Sequence, residues 1–322
     1  MDYALEREYL GDSLIMSENV VHVTCRSLVA VVLIALVSVA FLAYAPLQSS
    51  MVSPKMAIYT DYVYHPNVPQ EGERVVSIIF DDGWLTPYTD ALPILDKYGF
   101  KATFAVVTSY IESYRAYMDW DQVVALYNQG HDIASHSANH INMTGQTPAV
   151  IADQLAQSKE ALLSHGINAP IFVYPFGQGA GNPDVEQIVQ QHYLVARGIQ
   201  IGSLDLSKPF NPLALPANEV ENSTSIELFK NYVEQASGST VVILFYHQIT
   251  DGSVFTSTTP ENFDAQMQYL HDNNFTVRTL KQLFTITESS STAPSLFILD
   301  TNVVYLNSKN PNFYTKKAEL IL

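Results

Sequence analysis

Four stretches of the sequence carry residues suited to hydrolysis: Asp81-Asp82-Gly83, His136-Ser137-Ala138-Asn139-His140, Tyr174-Pro175-Phe176-Gly177 and His247. Histidines four residues apart share one face of a helical turn, a spacing that two-histidine metal sites use. Asp82 completes a His₂Asp set with coordination positions left open, as catalytic sites keep them. Adjacent carboxylates allow divided roles, one holding the metal and the other accepting a proton from bound water. The alternative for Asp-Asp-Gly is a plain turn.

Each of these stretches follows a predicted strand, at Val75–Phe80, Asp132–Ser135, Ile171–Tyr174 and Val241–Tyr246. Strands and helices alternate about seven times between residues 74 and 285, which indicates parallel strands joined by helices. We therefore predict an α/β fold, a closed or nearly closed barrel in which the ends of the strands meet at one face.

The predicted helices begin at capping residues or end at glycines, as at Asp119 and Gly166. They cover residues 88–98, 119–128, 147–165, 184–192, 225–237, 260–273 and 280–284. Further strands are predicted at 102–107, 194–196 and 276–279.

Residues 73–285 resemble the polysaccharide deacetylase family, carbohydrate esterase family 4, with its NodB-homology domain. The T-F-D-D-G motif is matched by Ile79–Gly83, the H-[ST]-x-x-H motif by His136–His140, and the final L-x-H motif by Leu244–His247. The resemblance implies a distorted (β/α)7 barrel of the NodB type. It also implies a divalent metal ion, with Zn²⁺ expected, on Asp82, His136 and His140. Asp81 is then the general base and His247 the general acid.

Two motifs depart from the family pattern. The third, usually R-x-P-Y-G, is here Phe172–Gly177, and it resembles the F-A-Y-P-Y-G subgroup that lacks the arginine. Arg197 is a candidate substitute that would steady Asp81. The fourth motif, D-x-x-D-W, has no clear counterpart, and Asp205 is a candidate partner for His247, with a turn residue as the alternative. Ser137 is a candidate supporting residue.

The implied reaction is hydrolysis of N-acetyl groups on a GlcNAc-containing cell-surface or extracellular polysaccharide. A backbone N–H near Phe176, beside Pro175, would hold the oxyanion. Trp84, Tyr174 and Phe176 would form an aromatic platform for sugar rings, or would simply pack at the rim. The alternatives are a hydrolase of O-acetyl esters or small cyclic amides on the same fold, and an inactive carbohydrate-binding surface protein.

The N-terminal part contains 19 uncharged residues, Ser27–Ala45, enough to cross a bilayer core of about 30 Å as a helix. We predict a leader (1–26), a transmembrane signal anchor (27–45), a linker (46–72), the deacetylase domain (73–285) and a Ser-rich linker with a short tail (286–322). The protein would be single-pass in the cell membrane with its domain outside the cytoplasm. Secretion after signal cleavage is the alternative, since Ala43-Tyr44-Ala45 has a small-x-small pattern.

Composition excludes several classes of protein. The formal net charge of −16 argues against binding nucleic acid through its phosphates. A single cysteine excludes a disulfide scaffold, and 47% hydrophobic residues exclude a disordered chain.

Overall fold

The computed structural model of the protein describes residues 57–59, 62–288 and 295–297, and the chain divides into two units. In the unit formed by residues 1–60 and 291–322, the described strands β1 (Ala57–Tyr59) and β15 (Ser295–Phe297) pair antiparallel. The other unit, residues 61–290, contains the remaining described elements. The predicted leader and the predicted anchor at 27–45 lie outside the described residues. Within the described residues, no helix combines the length and the apolar character that spanning a membrane requires.

A curled, mostly parallel sheet forms the centre of the larger unit. Its strands are β3 (Arg74–Phe80), β4 (Thr103–Val106), β5 (Asp132–Ser135), β6 (Ile171–Val173), β7 (Val195–Arg197), β8 (Leu204–Asp205), β9 (Asn218–Glu219), β10 (Thr240–Tyr246) and β13 (Phe275–Val277). They run in the order β7-β6-β5-β4-β3-β10, all parallel, with β9 added in parallel to β10, β13 in parallel to β3, and β8 antiparallel to β10. Because Leu215 also pairs with Arg197 of β7, the segment ending in β9 touches both edges of the curled sheet.

Both faces of this sheet are buried. Along β3, Val76, Ile78 and Phe80 belong to one apolar cluster that includes helical residues, whereas Val75 and Ile79 belong to a second cluster, formed mainly by the sheet itself. Near-continuous apolar strands are typical of parallel sheets covered on both sides. Each such side chain contributes about 1.5–3 kcal/mol on burial, so the strands form a rigid support for the residues that follow them.

Helices cover the outer face of the sheet. They are α1 (Leu92–Tyr98), α2 (Trp120–Asn128), α3 (Pro148–Ser164), α4 (Pro183–Val189), α5 (Ile226–Val233) and α6 (Pro260–Asp272). Helix α2 begins with a reciprocal capping box between Asp119 and Gln122, and α1 ends at Gly99 in the left-handed conformation. The predicted α/β alternation is thus confirmed, with most helix boundaries within a few residues of those predicted.

The predicted linker and the predicted last helix differ from the structure. Strand β2 (Tyr62–Pro66), inside the linker predicted at 46–72, pairs antiparallel with β14 (Phe284–Glu288). The predicted helix 280–284 is only a 3₁₀ turn at Lys281–Leu283 leading into β14. These two strands are neighbours only in space, so neither carries a local hairpin signal. A short pair, β11 (Gln248–Ile249) and β12 (Ser257–Thr258), lies in the loop after β10.

Candidate metal centre and active site

The predicted reactive groups gather at the C-terminal ends of the parallel strands. Asp81 and Asp82 follow β3, His136 follows β5, Arg197 ends β7 and His247 follows β10. Parallel strands place these ends at one edge of the sheet, and the contacts below show which side chains meet there.

Asp82, His136 and His140 form a three-residue cluster whose ligand atoms all lie within 4.8 Å of one another. Asp82 Oδ1 lies 3.3 Å from Nε2 of His136 and 3.2 Å from Nε2 of His140. The same oxygen is buried without a hydrogen-bond partner among the described residues. Burial alone would raise the pKa of Asp82, whereas positive charge at the two imidazoles, or a cation in their place, would hold that pKa well below its ordinary value.

A backbone contact orients His136. Nδ1 of His136 lies 2.7 Å from the carbonyl oxygen of Val173, and because a carbonyl only accepts, Nδ1 carries the hydrogen. Nε2 of the neutral ring therefore presents a lone pair towards the carboxylate oxygen of Asp82, an arrangement that calls for a cation. This donor set fits a divalent ion such as Zn²⁺.

The two histidines do not lie on a helical turn, and that expectation is wrong. Ser137 and His140 have φ values of 66° and 54°, in the left-handed region, so the stretch is an irregular loop. Ser137 supports this loop because its hydroxyl oxygen accepts a hydrogen bond from the amide of His140 at 3.0 Å. The i, i+4 spacing brings the imidazoles together through this loop, with ring centroids 4.8 Å apart.

Asp81 is paired with Arg197, as the sequence analysis anticipated. Nη2 of Arg197 donates to both carboxylate oxygens of Asp81, and both side chains are almost completely buried. The guanidinium also lies over the ring of Phe245, 4.4 Å from its centroid. An arginine on β7 thus occupies the place left open by the third motif.

Asp205 does not approach His247, and its proposed role is wrong. It pairs with Thr240 at the start of β10, the end opposite His247, and its carboxylate binds Ser207, Ser239 and Lys208. A seven-residue strand separates the two ends by roughly 20 Å.

Glu219 of β9, rather than Asp205, is the acidic residue beside His247. Its Oε1 lies 3.5 Å from Nδ1 of His247. Burial raises the pKa of Glu219, while the nearby His247 acts in the opposite direction. The sequence analysis missed Glu219 because β9 is two residues long, and a strand so short leaves no periodic signal.

The aromatic residues around the site differ in exposure. Phe176 is 56% exposed, and its ring centroid lies 4.4 Å from that of His140. Tyr174 is fully buried, as is Pro175, so Tyr174 cannot form part of a sugar platform. Trp84 is half-buried and stacks on Tyr117.

Three tyrosines that the sequence analysis did not single out continue this aromatic surface. Tyr110, Tyr114 and Tyr117, in the loop between β4 and α2, contact one another with centroids 4.9 to 6.1 Å apart. Tyr110 also lies 6.4 Å from the ring of His140, and Tyr114 is 59% exposed. The cluster therefore extends from His140, a candidate metal ligand, to the surface.

Comparison with known proteins bears on this arrangement. Residues 69–196 match the family model described as polysaccharide deacetylase. The putative polysaccharide deacetylase YxkH of Bacillus subtilis (strain 168) is 33% identical over 108 residues, 33% of this chain and 38% of that protein. A chitooligosaccharide deacetylase of Bradyrhizobium sp. (strain ANU 289) is 28% identical over 96 residues, 29% of this chain and 41% of the relative. The matches thus span less than half of these relatives.

A solved structure supports the fold. The Xyl-CE4 domain of a multidomain xylanase from the hindgut metagenome of Trinervitermes trinervoides has a TM-score of 0.50 and 23% identity. The match covers 66% of this chain and 90% of that domain. It agrees with the NodB-type fold, and the family match over residues 69–196 supports the resemblance to polysaccharide deacetylases read from the motifs. The F-A-Y-P-Y-G subgroup stays a prediction.

Proposed function

We propose that the protein is a metal-dependent N-deacetylase that hydrolyses N-acetyl groups of a GlcNAc-containing cell-surface or extracellular polysaccharide. The observation that carries this proposal is the Asp82, His136 and His140 cluster, with Asp81 and His247 at the same end of the sheet. The three residues would hold a divalent ion, with Zn²⁺ our proposed ion, which when bound would polarise an acetyl carbonyl and acidify a water molecule.

Asp81 would act as the general base. Its carboxylate would accept a proton from the attacking water, and Arg197 lies against it as the counter-charge. Because Arg197 donates to both oxygens, the carboxylate is also fixed in orientation. Because the carboxylate is already oriented, its side chain need not rotate before it accepts the proton.

His247 would act as the general acid that gives a proton to the departing amine. Glu219 lies against its Nδ1 and would orient the imidazole for this step. The backbone N–H at Phe176 would stabilise the oxyanion, from a residue held at φ 56° between Pro175 and Gly177.

The aromatic surface beside the cluster supports the proposed substrate class. Aromatic faces pack against the C–H faces of sugar rings, and Trp84, Tyr114 and Phe176 offer half-buried or exposed rings near the proposed metal ligands. A chain of sugars can contact several of these rings at once, whereas a small cyclic amide would contact few.

The deciding experiment uses the full-length chain in detergent, stripped of metal and reloaded with Zn²⁺. We expect one bound ion per chain and acetate release from chito-oligosaccharides, both lost in H136A. H271A, which changes an exposed histidine on α6, is the matched control. Acetate released only from O-acetylated xylan, or opening only of a cyclic ureide, would support the alternative hydrolases. A chain that binds sugar but neither metal nor acetyl substrates would be a surface binding protein.

We also propose that residues 27–45 anchor the chain in the cell membrane, with residues 46–61 leading to the catalytic unit outside the cytoplasm. The support is the 19-residue uncharged stretch itself. Alkaline carbonate extraction should leave the intact chain in the membrane fraction. A soluble product that begins near Pro46 would instead indicate signal cleavage.

A further inference from the structure

We propose that Trp84 is a positioning residue that holds Asp82 so that only one of its oxygens faces the metal; this rests on the proposed function. The indole Nε1 of Trp84 donates a hydrogen bond to Asp82 Oδ2 at 2.9 Å. Asp82 Oδ1 instead faces Nε2 of both histidines. The two carboxylate oxygens are therefore divided between the indole and the cluster.

The backbone of Asp82 explains why such a tether matters. Its φ is 74°, an unfavourable region for a residue with a side chain, and Gly83 follows at φ 83°. Among the described residues, Oδ2 accepts no other hydrogen bond, so this contact and the cluster align the side chain. Without the indole N–H, the carboxylate is free to rotate and to offer both oxygens. Partners of this kind usually change metal affinity when they are removed.

Trp84 is itself held in place by the loop that precedes α2. Its ring stacks on Tyr117 with centroids 4.2 Å apart and planes 19° apart, and the two residues form an antiparallel bridge. Hydrogen bonds from Leu85 to Ala116 and from Met118 to Gly83 flank that bridge. Backbone pairing on both sides of the bridge thus fixes the direction in which the indole N–H points.

The test compares the Zn²⁺ affinity of the full-length chain with that of W84F, by calorimetric titration without substrate. Phenylalanine keeps one aromatic ring against Tyr117 and removes the N–H donor together with the second ring of the indole. We expect a dissociation constant about 10–100-fold higher in W84F, and a changed visible spectrum when Co²⁺ replaces Zn²⁺. The matched control is W120F, since Trp120 stacks on His165 and has no contact with the cluster among the described residues.

The chain has two tryptophans, so W120F leaves Trp84 as its only indole. Saturating W120F with Zn²⁺ should change the indole emission, because the acceptor of its hydrogen bond becomes a metal ligand; this readout does not depend on how W84F folds. An unchanged emission would overturn the role of Trp84. The same conclusion would follow if W84F matched W120F in both its Zn²⁺ affinity and its Co²⁺ spectrum. A wild-type chain that binds no Zn²⁺ would instead overturn the proposed function.

Discussion

Arg197 and Asp81 form a buried ion pair in which one guanidinium nitrogen serves both carboxylate oxygens. The arginine comes from β7 and the aspartate from the end of β3, two strands separated by three others in the sheet. They meet because the sheet curls. Leu215 pairs with Arg197 of β7, and β9, which follows shortly after Leu215, pairs with β10, the neighbour of β3. The curl of the sheet therefore brings the proposed base and its partner together.

We expect R197M to lose most deacetylase activity and to lower the free energy of unfolding by about 3–5 kcal/mol, because it leaves a buried carboxylate without a counter-charge. Urea denaturation and acetate release measure the two effects. The double variant R197M/D81N, which removes the orphaned charge, should recover much of the stability but no activity. If R197M unfolds at the wild-type urea concentration, the pair contributes nothing and Asp81 is held by other contacts.

We expect E219Q to lower kcat roughly tenfold with little effect on KM, because His247 loses the negatively charged partner beside its Nδ1. Burial raises the pKa of Glu219, so its charge develops only as the pH rises through that pKa. The ratio of wild-type to E219Q activity should therefore increase with pH. E71Q, which removes the charge of an exposed glutamate before β3, should behave like wild type. A ratio that does not change with pH would remove Glu219 from the reaction.

The residues at the strand ends were predictable because the ends of long, apolar strands are visible in the sequence. β3 and β10 are buried along almost their whole length, and a polar group directly after such a run is conspicuous. Asp81, Asp82 and His247 are found in this way. Arg197 required the added knowledge that one motif lacked its arginine.

What the sequence did not reveal depends on short or distant pairings. Glu219 lies in a two-residue strand, and β2 pairs with a strand more than 200 residues later in the chain. Asp205 has the acidic side chain expected of a partner for His247. Its strand runs antiparallel to β10, however, and places it at the end of β10 opposite His247. The loop conformation of His140 depends on positive φ values, which residues other than glycine rarely adopt and which spacing alone does not predict.

We expect Y114A to raise KM for chito-oligosaccharides about 2–10-fold and to leave kcat nearly unchanged, because an exposed aromatic contact is worth about 0.5–1.5 kcal/mol. Tyr114 is the outermost ring of the aromatic cluster, at 59% exposure. Kinetics on a monosaccharide and on a hexamer measure the effect, which should appear only with the longer substrate. L163A, at an exposed apolar residue of α3, is the control. Equal KM changes for both substrates would argue that Tyr114 affects the reacting sugar rather than a neighbouring one.

Asp132, at the start of β5, gives a pH dependence that is separate from catalysis. Its carboxyl accepts hydrogen bonds from the amide of Lys281 and the hydroxyl of Thr103, and burial raises its pKa to about 7. Between pH 4 and 7 the unfolded chain ionises this group while the folded chain keeps it protonated. Stability should therefore fall across this window and level off above it, by at most about 4 kcal/mol from this group.

The variant D132N removes this titration, because an amide stays neutral throughout. The free energy of unfolding of D132N relative to wild type should therefore rise between pH 4 and 7, as measured by urea denaturation of both chains at several pH values. Taking the difference cancels the titration of the metal-binding residues, which both chains share. D153N, at an exposed position of α3, should give a flat difference. A flat difference for D132N as well would mean that the buried carboxyl is ionised in the folded protein, with Lys281 supplying the compensating charge.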